Sequence, residues 1–247
     1  MQTLLVVFLW VSVSNAAHLR PEGAKEARRP HLKRESKVSA DPDPDTATEK
    51  EPLRPHIIYA LIDDLGYAGL GFNAPDGEPK TPIIDGLVGD GVWLKQHYAF
   101  RFCGPSRSSF LSGRLPIHVT QNNCDLCGVP VGMSTISDVL QKAGYATHHS
   151  GKWHAGLGSE QLLPINRGFN SSLALLGGSA DHYTTERPGG PDGLYTMRDL
   201  WQDHGPAEQS DEYSTYRFVN YALKVLDNHN PETPLFLFMS FQSVHFP

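Results

Sequence analysis

The chain has 247 residues, 21 of them basic and 27 acidic, for a formal net charge of −6. That mild acidity excludes the basic footprint of a nucleic-acid-binding protein, while 39% hydrophobic residues supply enough apolar material for a core. The apolar material is unevenly placed. Residues 4–13 are an apolar run of ten residues followed by Ser14, Asn15, Ala16 and Ala17. Such a run is too short to span a bilayer and is followed by small residues, so residues 1–17 read as a signal peptide cleaved near Ala16 or Ala17. In residues 18–54 mixed charges give way to Asp, Pro, Thr and Ala, and almost nothing apolar recurs. This segment cannot offset its ordering entropy by burial and reads as a disordered linker. No later run is apolar enough to cross a membrane, and residues 55–247 read as the ordered region.

His56–Ile62 is a continuous β-prone run that predicts a buried parallel strand. It leads directly into Asp63 and Asp64. Paired carboxylates at the end of such a strand sit where open α/β sheets assemble their sites. They suit a hard cation, Ca²⁺ or Mg²⁺, although the same pair is also a common turn or cap pattern. Thr81 and Pro82 predict a helix start, and residues 91–98 read as a strand leading to Phe100-Arg101-Phe102-Cys103.

Cys103-Gly104-Pro105-Ser106-Arg107, followed by Leu111-Ser112-Gly113-Arg114, carries the strongest signal. It resembles the Cys-X-Pro-Ser-Arg signature of the type I sulfatases. The resemblance implies that Cys103 is oxidised to formylglycine, whose hydrated form attacks a sulfate ester. A geminal diol can expel sulfate by collapsing back to the aldehyde, whereas a serine nucleophile would be stranded as a stable ester. Thr81-Pro82-Ile83-Ile84-Asp85 is similar to another block of the family. Residues 106–112 predict a helix whose N-terminal amides and dipole favour an anion, with Arg107 adding a charged donor fork.

Residues 134–143 are amphipathic, with Ser134 or Thr135 as cap and Gly144 as terminator. A strand over 145–149 then leads to Gly151-Lys152-Trp153-His154-Ala155-Gly156, which resembles the family's Gly-Lys-Trp-His-Leu-Gly with Ala155 for Leu. Lys152 and His154 stand two apart, so on an extended segment they face one side. That pairing suits an anion and a proton transfer. His97, His118, His148 and His149 lack such context and read as surface or satisfied-core histidines. Pro164 to Phe169 is similar to a further family block; Asn170 replaces its Asp and creates an Asn-Ser-Ser sequon. Residues 175–184 resemble the arylsulfatase B branch. Residues 185–209 read as a long loop, 213–228 as a helix and 234–241 as a second buried strand. His245-Phe246-Pro247 matches the family's His-X-Pro.

Cys124 and Cys127 leave a local bridge, a redox pair and half a zinc site open. No second pair completes the zinc site, and the resemblance implies structural cysteines, which relatives pair with distant partners. The resemblance also implies an alkaline-phosphatase-like α/β sandwich with a mostly parallel central sheet, truncated at the C-terminus. Asp63, Asp64 and the Cys103-derived oxygen would hold Ca²⁺, with Mg²⁺ as alternative. Arg107 and Lys152 would orient the diol and sulfate, His154 would take a proton, and His245 with Lys152 would bind substrate. The expected partners are a sulfated small molecule or polysaccharide and the formylglycine-generating enzyme, in a secreted or lysosome-like lumenal setting. The family's Asp-Asn ligand pair and downstream lysine have no match here; Asp227-Asn228 lies in the wrong order. The expectation is therefore an incomplete form with little turnover. A phosphate or phosphonate ester hydrolase and an inactive secreted binding fragment are the alternatives.

Overall fold

The computed structural model describes residues 3–9, 54–189 and 193–247. The expected linker, up to residue 53, and most of the expected leader's polar end lie outside the described residues. Residues 3–9 and 55–247 belong to one compact unit.

A seven-stranded sheet organises it. In spatial order the strands are β1 (Thr3–Leu9), β2 (His56–Ile62), β9 (Leu235–Phe241), β3 (Ala146–Lys152), β4 (Ser171–Leu175), β7 (Leu200–Gln202) and β8 (Gly205–Pro206). The first five are mutually parallel, and β7 and β8 add antiparallel. The three expected buried strands are thus neighbours, with β9 between β2 and β3.

Alternation along β9 explains why it reads as apolar throughout. Phe236 and Phe238 pack on one face with Tyr59, Leu111, Trp153 and Phe169. Leu235 and Leu237 face the other way, against Ala222, which lies on helix α4 (Ser214–Asn228). A strand covered on both faces must be apolar on both. Each fully buried Phe or Leu contributes roughly 1.5–3 kcal/mol.

Helices α1 (Pro82–Asp90), α2 (Cys103–Ser112) and α3 (Ile136–Lys142) complete the set. Thr135 caps α3 with a reciprocal box to Asp138, and Gly144 follows at φ 85°. Thr81 caps differently from expectation. Its hydroxyl donates to Asp85 Oδ1 (2.7 Å) and accepts from Gly71 N (2.9 Å), tying α1 to the preceding loop.

Two expectations fail. Residues 91–98 form no strand; their apolar side chains find no sheet edge, and Val92 and Tyr98 are 87% and 81% exposed. Trp93 instead packs edge-on against Phe72, with Lys95 over its ring. The expected loop over 185–209 contains an antiparallel pair, β5 (Glu186–Gly189) with β6 (Tyr195–Arg198), and then β7 and β8. Pro188 and Gly189 mask the pattern, but an outer strand tolerates proline. Asp203 turns the β7–β8 hairpin at φ 52°.

Candidate active site

The C-terminal ends of β2, β3 and β9 meet the N-terminus of α2, and that junction gathers the site. Asp63 follows β2 and is fully buried. Asp64 adopts φ 57°, a left-handed turn that Asp tolerates better than most residues. The segment after β9 is stitched to the same place: Asp63 N donates to Ser243 O (3.0 Å) and Val244 N to Asp63 O (2.8 Å). This brings His245 Nε2 within 3.6 Å of Asp64 Oδ2.

Cys103 is the first residue of α2, and its Sγ lies 3.7 Å from Asp63 Oδ1. One turn on, Arg107 is 1% exposed. Its Nη1 donates to Lys152 O (2.7 Å) and to Ser240 Oγ (2.5 Å), which anchors it on β3 and β9. Its Nη2 lies 3.5 Å from Asp63 Oδ2. Nε and Nη2 have no hydrogen-bond acceptor, although both are buried. Lys152, fully buried, hydrogen-bonds through Nζ to Asp63 Oδ2. β3 reaches Lys152 because Gly151, at φ 119°, passes so close to β9 that a Cβ there would sit 1.8 Å from Ser240 O.

Burial alone would raise the Asp63 carboxyl; the Arg107 and Lys152 charges and the Lys152 hydrogen bond outweigh it and hold it below the usual carboxylate range. Burial pushes the Cys103 thiol up, with Lys152 opposing and Asp63 assisting. An unmodified Cys103 is therefore a protonated, weak nucleophile. His154 is pushed down to about 3 by burial first, then by Lys152 and Arg107. It is held neutral, as a proton acceptor must be.

The structure brings Asp63, Asp64, Cys103, Arg107, Lys152 and His245 together by direct contacts. His154 joins the same electrostatic cluster, but at φ 43° rather than on an extended segment. One liganding atom each from Asp63, Cys103 and His245 lies within 4.8 Å of the others. His245, expected to bind substrate, thus also lies among potential metal-ligand atoms. The α2 amides contribute less than expected: Gly104 N is taken by Asn123 Oδ1 (3.0 Å), Pro105 has no N–H, and Ser106 N bonds to Phe102 O.

Cys124 and Cys127 form a local disulfide, the local bridge among the expected readings, so they are neither zinc ligands nor paired with distant partners. Between them sits Asp125, which the sequence reading passed over. It contacts His154, Arg187 and Gly178, and its place inside the Cys-X-X-Cys turn was the signal available. Of the remaining histidines, His97 and His118 are exposed and His148 bonds through Nδ1 to Ser171 Oγ (2.8 Å). His149 departs from expectation: it is fully buried with no well-aligned partner at either ring nitrogen.

A mostly parallel sheet with its carboxylates, cations and cysteine clustered at the strand ends defines an α/β sandwich of the alkaline-phosphatase-like class. Residues 55–247 match the Sulfatase family model, and the chain belongs to that family. It is similar to arylsulfatase J of Mus musculus, 35% identical over 222 residues, covering 85% of this chain and 36% of that protein. The crystal structure of Ps i-CgsB superposes with a TM-score of 0.70 at 30% identity, covering 79% of this chain and 46% of that one. Ps i-CgsB in complex with k-i-k-neocarrahexaose superposes at 0.66 and 28% identity, with the same coverages. The chain therefore spans about a third of the length of arylsulfatase J and under half of these solved chains.

Proposed function

We propose that the chain carries the nucleophile half of a sulfuric ester hydrolase, acting on a sulfate monoester of a sulfated glycan through formylglycine at position 103 with Ca²⁺. The observation that carries this reading is Arg107: a fully buried guanidinium whose Nε lacks an acceptor and whose Nη2 has only a 3.5 Å ion-pair contact with Asp63, beside Lys152 and Cys103. Leaving buried donors unpaired costs about 1–3 kcal/mol each. A tetrahedral oxyanion supplies acceptors of the right sign.

The donor set fits a hard cation. Asp63 and Asp64 offer carboxylate oxygens, and Asp63 Oδ1 already faces the Cys103 side chain; oxygen ligands of this kind suit Ca²⁺, with Mg²⁺ the alternative. Bound there, the ion and formylglycine supply charge neutralisation on the transferring group and the diol nucleophile. The chain's own residues do the rest. Arg107 and Lys152 orient the sulfate, neutral His154 accepts a proton as sulfate departs, and His245 lies toward the leaving side. The high-pKa thiol favours this route over direct attack by Cys103 itself.

A secretory route fits the Cys124–Cys127 disulfide, since such bridges persist in oxidising compartments. It also fits residues 1–17 as a leader and Asn170 as a glycan acceptor. Asn170 is exposed, and its Oδ1 is held by Thr147 N (2.8 Å) and Thr147 Oγ1 (3.0 Å), which leaves Nδ2 available. The complex of Ps i-CgsB with a carrahexaose supports a polysaccharide substrate.

The test uses chain shown by mass spectrometry to carry formylglycine at position 103. Calorimetric binding and turnover of an aryl sulfate are compared with those of the matching aryl phosphate, with Cys103→Ala as control. Preference for the sulfate, with Ca²⁺-dependent turnover lost in the control, supports the hydrolase. Preference for the phosphate supports the phosphoester alternative, and sulfate binding without any turnover supports a binding fragment.

A further inference from the structure

Asp125 lies on the turn closed by Cys124–Cys127 and reaches into the site from outside the blocks that resemble the family. Its Oδ1 stands 3.3 Å from His154 Nε2 and accepts from Gly178 N at 2.8 Å. Its Oδ2 accepts from Arg187 Nη1. Arg187 is fixed in turn, because Nε donates to Asp199 Oδ1 (2.9 Å) while Gly177 N donates to Asp199 Oδ2 (2.7 Å). The turn's backbone is also held, with Leu157 N donating to Asp125 O (2.9 Å). On the far side of the imidazole there is room for the ring only because residue 178 is glycine; a Cβ there would lie 2.7 Å from His154 Cε1. His154 Nδ1 is buried and has no partner.

We propose that Asp125 is a positioning residue for His154. Resting on the hydrolase reading, it holds the imidazole by an Nε2–H hydrogen bond and so leaves the lone pair that takes up the proton on Nδ1. Three features converge on this role. The carboxylate's other bonds all come from donors, so it faces His154 as an acceptor. The disulfide and the Arg187–Asp199 pair remove its freedom to turn away. The unpartnered Nδ1 is what an Nε2–H tautomer leaves when nothing else in the fold serves that nitrogen. A carboxylate orienting a histidine and fixing its tautomer is a recurrent device in catalytic sites. Here the carboxylate arrives on a four-residue disulfide turn.

The test reads proton position directly. Two-bond ¹H–¹⁵N spectra of histidine-labelled full chain are recorded for wild type, Asp125→Ala and Asp125→Leu, the last keeping volume without an acceptor. The His154 signals are assigned by their loss in His154→Gln. A charged hydrogen bond biases the tautomer by at least ~10-fold. Wild type should therefore show one Nε2–H form at above ~20:1, falling to below ~5:1 in both variants with faster solvent exchange. The His148 pattern, fixed by Ser171, reports that the fold persists. A wild-type His154 carrying its proton on Nδ1 overturns the proposal without any variant. So does an unchanged ratio in either variant that retains the His148 pattern. Neither formylglycine nor turnover is needed, so failure of the hydrolase reading leaves this measurement intact. Where turnover is detected, Asp125→Ala should lower kcat ~10-fold or more with KM little changed, as loss of a positioning contact does.

Discussion

His149 should make the fold acid-sensitive, by an amount that can be worked out. Its ring is fully buried in β3 with Trp153, Phe169 and Phe238 around it at centroid distances of 5.3, 5.5 and 5.2 Å. Burial first, and then the Arg107 charge, push its pKa down to about 3; only the Lys152 backbone favours the charged form. The unfolded chain binds the proton near pH 6.5. Because the folded value is the lower one, stability is intact above pH 6.5, declines as pH falls below it, and levels off once pH passes about 3. At pH 5 the deficit covers about 1.5 pH units, or about 2 kcal/mol at 1.4 kcal/mol per unit. That is a large share of a stability of typically 5–15 kcal/mol. The perturbation is His149→Phe, which fits an aromatic cage and cannot titrate. Urea unfolding at pH 7, 6 and 5 should show wild type losing about 2 kcal/mol more than the variant between the extremes. The packing cost of Phe shifts all three values alike and drops out of the slope. Parallel pH dependences in the two proteins would refute the reasoning. The linkage also bears on compartment, since a neutral secreted setting preserves stability that an acidic lumen would remove.

Gly151→Ala should destabilise the fold by more than about 3 kcal/mol or prevent folding, because its Cβ meets the Ser240 carbonyl at 1.8 Å and its φ is 119°; thermal melts measure this, and a shift under 1 °C counts against the β3–β9 register. Lys152→Met leaves Asp63 buried with one fewer cation, so its carboxyl should rise. The stability it contributes, present above its unfolded value near pH 4, should then be lost at a higher pH as acid is added, with about 3–5 kcal/mol lost at neutrality; denaturant titration across pH 3–7 decides.

Much of the fold is legible in the sequence because a strand sandwiched between helices must be apolar on both faces, and His56–Ile62 and Leu235–Phe241 are the clearest such runs. The site residues are legible for a different reason: they cluster in short blocks whose chemistry needs fixed neighbours, as at Cys103 to Arg107. Failures occur where tertiary context overrides local pattern. Residues 91–98 have the composition of a strand but no edge to join. The β5–β6 hairpin hides behind Pro188 and Gly189, which weaken any strand signal. Asp125 shows in the sequence only as a residue of the Cys-X-X-Cys turn, because its partners His154, Gly178 and Arg187 come from three later segments and only the folded chain assembles them.

The charge balance of the buried cluster leads to the last prediction. Asp63 sets one negative charge against two cations, Arg107 and Lys152, all three essentially inaccessible. One positive charge is left over, together with Arg107 Nε and Nη2, neither of which makes a hydrogen bond. Desolvation of those donors has already been met in folding, so an oxyanion that reaches them gains contacts without stripping them of water. Inorganic sulfate should therefore bind and stabilise the fold by mass action. At about 100 times its Kd the gain is about 2.7 kcal/mol, equivalent to roughly 5–10 °C in Tm for a domain of this size. Sulfate also stabilises proteins generally by exclusion from their surfaces, so the informative quantity is the difference between wild type and Arg107→Gln at matched ionic strength. Lys152→Gln serves where the arginine variant melts too low. A saturable sulfate shift in wild type, absent from the variant and from chloride controls, is the expected result. An equal, non-saturating shift in both proteins would mean that Arg107's free donors face no anion, and the hydrolase reading would lose the observation that carries it.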